Sequence, residues 1–135
     1  MAELEFLVPE EVPAPRAAYS HAVRIVSGTH IVLAGQVPID EHGDTVGPGD
    51  IEAQTRQVLK NIEGVLRGAG ATFADVVKYT VYVAGRDNAA RFREVRAVLW
   101  PEVHPDGRYP TSTFLVIDQL ASEEFLVEIE ANAVV

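Results

Sequence analysis

A strongly β-type segment lies near the middle of the chain, at residues 76–84: Val76-Val77-Lys78-Tyr79-Thr80-Val81-Tyr82-Val83-Ala84. β-Branched and aromatic side chains of this kind favour strands. Successive side chains of a strand point to opposite faces, so Lys78, Thr80 and Tyr82 fall on one side and give it a mixed character. The segment therefore predicts a sheet strand with one apolar face and one mixed face.

A helix is predicted on each side of this strand along the chain. From Ile51 to Ala69, apolar residues recur at intervals of three and four, and charged residues take the opposite side. Asp50 is a candidate N-cap, and Gly68-Ala69-Gly70 is a candidate stop. The second predicted helix runs from Asp87 to Trp100 and ends at Pro101.

Four further β-type segments complete the chain: His21–Val26, Ile31–Val37, Thr111–Asp118 and Phe125–Val135. The turn signal Ser27-Gly28-Thr29 predicts a hairpin between the first two. The order β-β-α-β-α-β-β predicts an α+β fold, with both helices on one face of a mixed sheet. Residues 1–18, which contain Pro9, Pro13 and Pro15, are predicted to be an extended lead-in to a single domain spanning 1–135.

The last predicted strand separates its two faces clearly. Its apolar side suits the layer beneath the helices, whereas Glu128, Glu130 and Asn132 fall on the other side. Two helices can cover only one face of the sheet. A second face that is neither fully apolar nor fully polar predicts contact with other subunits.

The composition excludes several classes of function. The 135 residues include 11 basic and 20 acidic ones, and the net charge of −9 argues against binding to nucleic acid. There are no cysteines, which excludes thiolate catalysis and cysteine-ligated metals. No segment resembles a membrane span or a signal peptide, so we expect a cytoplasmic protein without membrane partners.

The sequence contains neither a phosphate-binding motif nor a metal-binding motif. Gly43, Gly47 and Gly49 lack the nucleotide-binding patterns, and the four histidines lack ligand spacing. His30, His42 and His104 are predicted to lie at the surface or in turns.

Two charged residues conflict with their local patterns. Arg96 lies on the apolar side of its predicted helix, about 40° from Phe92 on a helical wheel, while Arg91 and Arg93 point further away. Its head either reaches water over the core or faces an anion or a partner subunit. Glu128 interrupts the most hydrophobic strand, so it is either an ion-paired or solvated carboxylate or a general base of raised proton affinity.

Several segments, taken together and in order, resemble the Rid family of reactive imine and enamine deaminases, also called the YjgF/YER057c/UK114 family. The resemblance runs from about Tyr19 to the C-terminus and rests on these stretches: Tyr19-Ser20-His21-Ala22-Val23-Arg24, Val32-Leu33-Ala34-Gly35-Gln36, Gln54-Thr55, Leu59-Lys60-Asn61-Ile62, Val76–Val83, Tyr109-Pro110 and Val127-Glu128-Ile129-Glu130-Ala131.

This resemblance implies a chorismate-mutase-like fold of the bacillus type and a homotrimer with clefts between neighbouring subunits. It also implies a small-molecule substrate, an imine or enamine that water converts to a carbonyl compound and ammonia without a cofactor or a metal. By the same resemblance Tyr19 lies at the cleft wall, Gly35 and Gln36 hold the substrate, and Glu128 activates the attacking water. Ala34 stands where the family often has serine.

The largest departure from the family lies in the stretch Tyr109-Pro110-Thr111-Ser112-Thr113. Ser112 replaces the arginine that clamps the substrate carboxylate in active deaminases, and Ser112 and Thr113 are candidate substrate contacts. We expect Arg96 or Arg108 to supply the missing cation from another direction.

Three functions are open on this basis. The first is a Rid-type hydrolase with non-standard substrate anchoring, favoured by Glu128 and Tyr19. The second is a non-catalytic ligand-binding or regulatory trimer that uses the same cleft, favoured by Ser112 and Ala34. The third, a ribonuclease or translation inhibitor, conflicts with the acidic composition.

Overall fold

The computed structural model describes all 135 residues, and it confirms the α+β class and the chorismate-mutase-like arrangement. Its elements are the strands β1 (Glu3–Leu7), β2 (Ala22–Ser27), β3 (His30–Gln36), β4 (Val76–Ala84), β5 (Thr111–Ile117) and β6 (Val127–Val134), the helices α1 (Ile51–Gly68) and α2 (Asn88–Val103), and a 3-10 turn at Phe73–Asp75. From β2 onward the order matches the predicted one. Neither helix is long and apolar enough to cross a membrane.

Both ends of α1 follow from local chemistry, whereas the end of α2 does not. Asp50 caps α1 by accepting a hydrogen bond from the Ala53 amide at 3.0 Å, and the helix stops beside Ala69 as predicted. The predicted end of α2 at Pro101 is wrong, because the helix continues to Val103. Proline removes one helical hydrogen bond, but here the loss is confined to the last turn. Burial of Trp100 and packing of Val103 against the core favour the extra residues.

The main sheet has the order β3-β6-β4-β5, in which β4 and β5 are parallel and the other pairs are antiparallel. Both helices pack on one side of it. The β6 residues on that side are at most 1% exposed: Val127, Ile129, Ala131 and Ala133. The other side, here called the open face, carries the mixed residues that the sequence predicts: Lys78, Thr80, Tyr82, Glu128, Glu130 and Asn132.

A second, two-stranded sheet is built from β1 and β2. The strand β1 lies within the predicted extended lead-in, where no strand was expected. The predicted hairpin between β2 and β3 is wrong. Instead of closing on β2, Thr29 exchanges two backbone hydrogen bonds with Val135, at 2.6 and 3.0 Å, and β3 then pairs with β6.

Candidate functional site

Glu128 and Gly35 lie against each other on neighbouring strands. The β3–β6 pairing is irregular between Leu33 and Gln36, and Gly35 sits within this irregularity. A Cβ atom at Gly35 would lie 2.9 Å from both Cδ and Oε2 of Glu128. Glycine leaves room here for the Glu128 carboxyl group, which lies against the backbone of β3.

The Glu128 carboxylate is partly buried and has no protein donor. Tyr82, its register partner on β4, donates its hydroxyl hydrogen to Glu130 instead. Burial, and then the negative charge of Glu130, raise the pKa of Glu128. A carboxylate with raised proton affinity and free lone pairs can take a proton from a bound water molecule.

Gln36 ends the same strand, and its side-chain amide donates to the Ala34 carbonyl at 3.0 Å. Gly35 and Gln36 also border a cleft of about 690 Å³ between β3 and α1. In that cleft the Asn61 amide holds the Val37 and Ile39 carbonyls at 3.0 and 2.9 Å, which fixes the turn after β3.

Tyr19 and Arg96 form a second group, near β5, which is the edge strand on the opposite side of the sheet from β3. Ser20 ties the segment that carries Tyr19 to the loop before β5, through the Pro110 and Tyr109 carbonyls at 3.1 and 2.5 Å. The Arg96 guanidinium lies over the ring of Phe114, with its Cζ 5.7 Å from the centroid. Burial and the nearby Arg93 lower the pKa of Arg96, and Tyr19 opposes that shift.

Ser112 and Thr113 follow one another on β5 and face opposite sides of the sheet. Ser112 pairs in register with the buried Tyr79, and its hydroxyl is buried without a hydrogen-bond partner. Thr113 lies on the open face, where its hydroxyl accepts a hydrogen bond from Lys78 Nζ at 2.8 Å. The two predicted substrate contacts therefore cannot serve one ligand in a single subunit.

The two groups remain apart within one subunit. Glu128 lies on the open face, whereas Arg96 belongs to a helix that covers the opposite face. The strand β4 also separates β6 from β5, and two strand spacings amount to roughly 10 Å. Glu128 and Gly35 are brought together, as are Tyr19 and Arg96, but a single chain does not bring the two pairs together.

Arg108, the other predicted cation, lies elsewhere. Its guanidinium stacks over Phe6 of β1, 4.5 Å from the ring centroid. It also borders a cavity together with Glu3 and Asp75. Of the two arginines expected to replace the missing one, Arg96 is the one that lies with Tyr19.

Sequence reasoning missed two residues of the second group. Arg93 is predicted to lie further from the apolar side of its helix than Arg96, and it is exposed in the structure, yet its Cζ lies 5.2 Å from the same Phe114 ring. A helical wheel does not show which strand lies beside α2, so it could not predict this contact. A long apolar residue in the strand next to the arginines is the only sequence signal for Phe114, and it is a weak one.

His104 begins a turn after α2, which is one of its two predicted placements, but it is buried and does not lie at the surface. It is 3% exposed, and its Nε2 atom is 2.9 Å from the Tyr79 hydroxyl, among the rings of Phe73 and Tyr109. Burial lowers the pKa of His104 to about 4, so the ring is neutral at pH 7. In the whole chain, no three His, Asp or Glu side chains are grouped closely enough to hold a metal ion.

Comparison with known proteins places the chain in a family. Residues 9–135 match the family model described as endoribonuclease L-PSP. The RutC family protein PH0854 of Pyrococcus horikoshii is 36% identical over 126 residues, covering 89% of this chain and 98% of that protein. The 3-aminoacrylate deaminase RutC of Acinetobacter baylyi is 33% identical over 112 residues, covering 83% of this chain and 86% of the enzyme.

Similarity to solved structures supports the same family. The crystal structure of YyfB from Yersinia pestis, a protein of unknown function in the conserved Rid family, superposes with a TM-score of 0.86. It is 36% identical and covers 98% of each chain. The sequence matches and the structural superposition agree, and the chain belongs to the Rid family.

Proposed function

We propose that this protein is a Rid-type hydrolase that deaminates a small imine or enamine. The observation that carries the proposal is the Glu128 carboxylate, which has no protein partner, has a raised pKa and lies against Gly35. The similarity to a 3-aminoacrylate deaminase supports the same class of reaction.

The reaction needs only one acid–base group. Glu128 accepts a proton from water as the water oxygen bonds to the carbon of the protonated imine, which gives a neutral carbinolamine. The protonated Glu128 then gives this proton to the carbinolamine nitrogen. As the C–N bond breaks, Glu128 takes the hydroxyl proton, the carbonyl forms, and the departing ammonia finally takes that proton from Glu128 and leaves as ammonium. An enamine enters the same sequence after its carbon is protonated to give the imine. General acid–base catalysis of this kind contributes typically 10²–10⁴-fold.

The complete cleft, in this proposal, forms between subunits of a homotrimer. The open face exposes apolar side chains, with Val32 at 79% and Leu115 at 41% exposure, which is typical of a surface covered by another subunit. A neighbouring subunit would bring Tyr19 and Arg96 to Glu128, and Arg96 would bind the carboxylate that Ser112 cannot.

A non-catalytic ligand-binding trimer is the second candidate. Ser112 in place of the clamping arginine, and Ala34 in place of serine, favour it, because both remove groups that would hold a carboxylate substrate.

Ammonia release from a panel of imines tests the proposal. The panel contains 2-imino acids, made in place by an amino-acid oxidase, and imines without a carboxylate. We expect Glu128→Gln to lower the rate by 10²–10⁴-fold. Glu130→Gln is the matched control, since it removes a carboxylate from the same face and should retain most of the activity.

Unchanged ammonia release by Glu128→Gln would overturn the mechanism. Activity that appears on 2-imino acids only after Ser112→Arg would favour the ligand-binding candidate. Light scattering of the wild type and of Val32→Glu tests the assembly, and a monomeric wild type would contradict it.

A further inference from the structure

Two arginines of α2 share one aromatic platform. Phe92 and Phe114 stack with centroids 5.4 Å apart and planes at 11°. The Cζ atoms of Arg93 and Arg96 lie 5.2 and 5.7 Å from the Phe114 centroid, and Arg96 also lies 5.9 Å from that of Phe92. Stacking on the rings holds both planar guanidinium groups in place.

Neither of these two cations is paired with an acid. On the same helix Arg91 contacts Glu52 and Glu94 at 3.0 and 3.1 Å, so acceptors are within reach of α2. The chain carries 20 acidic residues against 11 basic ones, which makes two adjacent unpaired arginines unexpected. Arg93 is exposed and Arg96 is half-buried, and the positive charge of Arg93 lowers the pKa of Arg96, as expected for two like charges that repel. An anion between them would relieve that repulsion.

The surrounding polar groups are suited to the same kind of ligand. Ser112 lies two positions before Phe114, on the same side of β5, and its buried hydroxyl has no partner. Tyr19 lies near Arg96. Hydroxyl and guanidinium groups can all donate hydrogen bonds to oxygen atoms of an anion.

We propose that Arg93 and Arg96 together anchor a dicarboxylic substrate, with one carboxylate at each guanidinium. This inference rests on the proposed function, because it names the substrate class for the same cleft. Arg96 binds the carboxylate next to the reacting carbon, and Arg93 binds the distal one. Arg93 thus distinguishes dicarboxylic from monocarboxylic imino acids.

Titration calorimetry with stable keto acids tests the anchor without any catalytic step. The probes are 2-oxoglutarate, a dicarboxylate, and 2-oxobutanoate, a monocarboxylate, added to the wild-type protein. A hydrogen bond to a charged group contributes about 1.5–3 kcal/mol, so we expect the dicarboxylate to bind at least about tenfold more tightly. Arg93→Gln should abolish the preference, Arg96→Gln should weaken both ligands about tenfold or more, and Arg91→Gln is the matched control that should change neither.

Equal affinities, a preference that survives Arg93→Gln, or no binding of either acid would each overturn the inference. Inorganic phosphate binding as tightly as 2-oxoglutarate would overturn the dicarboxylate assignment in favour of a general dianion site. The proposed function is tested separately: Glu128-dependent ammonia release without a dicarboxylate preference defeats only this inference. A dicarboxylate preference without ammonia release defeats only the hydrolase.

Discussion

The two faces of β6 differ in almost every physical respect although their residues alternate along one strand. On the helix side, Ile129 is 0% exposed and packs within the main core. On the open face, Glu128 is only partly buried, and its pKa is raised because water is partly excluded and Glu130 is near. The comparison shows that the odd-numbered residues of β6 stabilise the fold, whereas Glu128 and Glu130 place titratable carboxyl groups on the open face.

The same contrast applies to His104 and Glu128, whose pKa values the fold shifts in opposite directions. Desolvation favours the neutral form of both His104, at the C-terminal end of α2, and Glu128, on the open face. The neutral histidine is sealed in the core and affects stability. The Glu128 carboxyl group remains partly exposed, so its raised proton affinity is accessible from outside the core.

The largest expected effect is the loss of stability caused by a substitution on the helix side of β6, compared with one on the open face. Ile129→Ala should lower the free energy of unfolding by about 2–5 kcal/mol, because it leaves a cavity in a fully buried site. Glu128→Gln, one position away, should change it by less than about 1 kcal/mol, since no protein hydrogen bond is lost. Urea denaturation of both variants measures the difference. Equal losses would show that the open face contributes to the core as much as the covered face does.

The next largest effect is the pH dependence of stability that the buried His104 causes. His104 titrates at about 4 in the folded chain, against 6.5 as its ordinary value, so the unfolded chain binds the proton first. Stability should therefore be full above pH 6.5 and fall by on the order of 3 kcal/mol as the pH drops towards 4. Urea midpoints across this range measure the decline, and part of it should vanish in His104→Asn.

The exposed His42 provides the control for that titration, because His42→Gln should leave the decline unchanged. If His104→Asn does not fold, an NMR titration of the wild-type imidazole gives the same answer. A His104 pKa near 6.5 would contradict the expected burial effect.

The smallest expected effect on stability comes from the contact between β3 and β6. Gly35→Ala places a Cβ atom 2.9 Å from the Glu128 carboxyl group. The flexible end of Glu128 can move aside, so we expect a stability loss of about 1 kcal/mol. The displaced carboxylate should nevertheless reduce ammonia release by at least about tenfold.

Gly64→Ala is the matched control, because nothing lies within 4 Å of a Cβ atom at that helical position. It should preserve activity and raise stability by up to about 1 kcal/mol. Full activity in Gly35→Ala would show that the position of Glu128 against β3 is unimportant.

Much of the fold could be predicted because its signals are local. The period of Ile51–Ala69 and the alternation of Phe125–Val135 each identify an element and its buried side without any knowledge of its neighbours. The N-cap at Asp50 is equally local. Predictions that depended on partners were less successful: the β2–β3 hairpin was wrong, and β1 was missed, because each strand's partner is set by distant segments.

The candidate site likewise has features that the sequence predicted and features that it could not predict. Glu128 and Arg96 were conspicuous in the sequence because each is a charge in an apolar pattern. The contact of Glu128 with Gly35, the approach of Arg93 to Phe114 and the burial of His104 were not readable there. Each joins residues that are far apart in the chain, and no short-range pattern records such a contact.

The sequence by itself determined both helices, most of the strands, the acidic character and the position of Glu128 within an apolar strand. Backbone propensity and the spacing of apolar side chains depend on only a few neighbouring residues, so a short stretch of sequence is enough to predict an element. Only the tertiary structure decided which side chains share an environment. Glu128 acquires its raised pKa, and Arg93 and Arg96 their common platform, because long-range packing controls water access and the distance between charges.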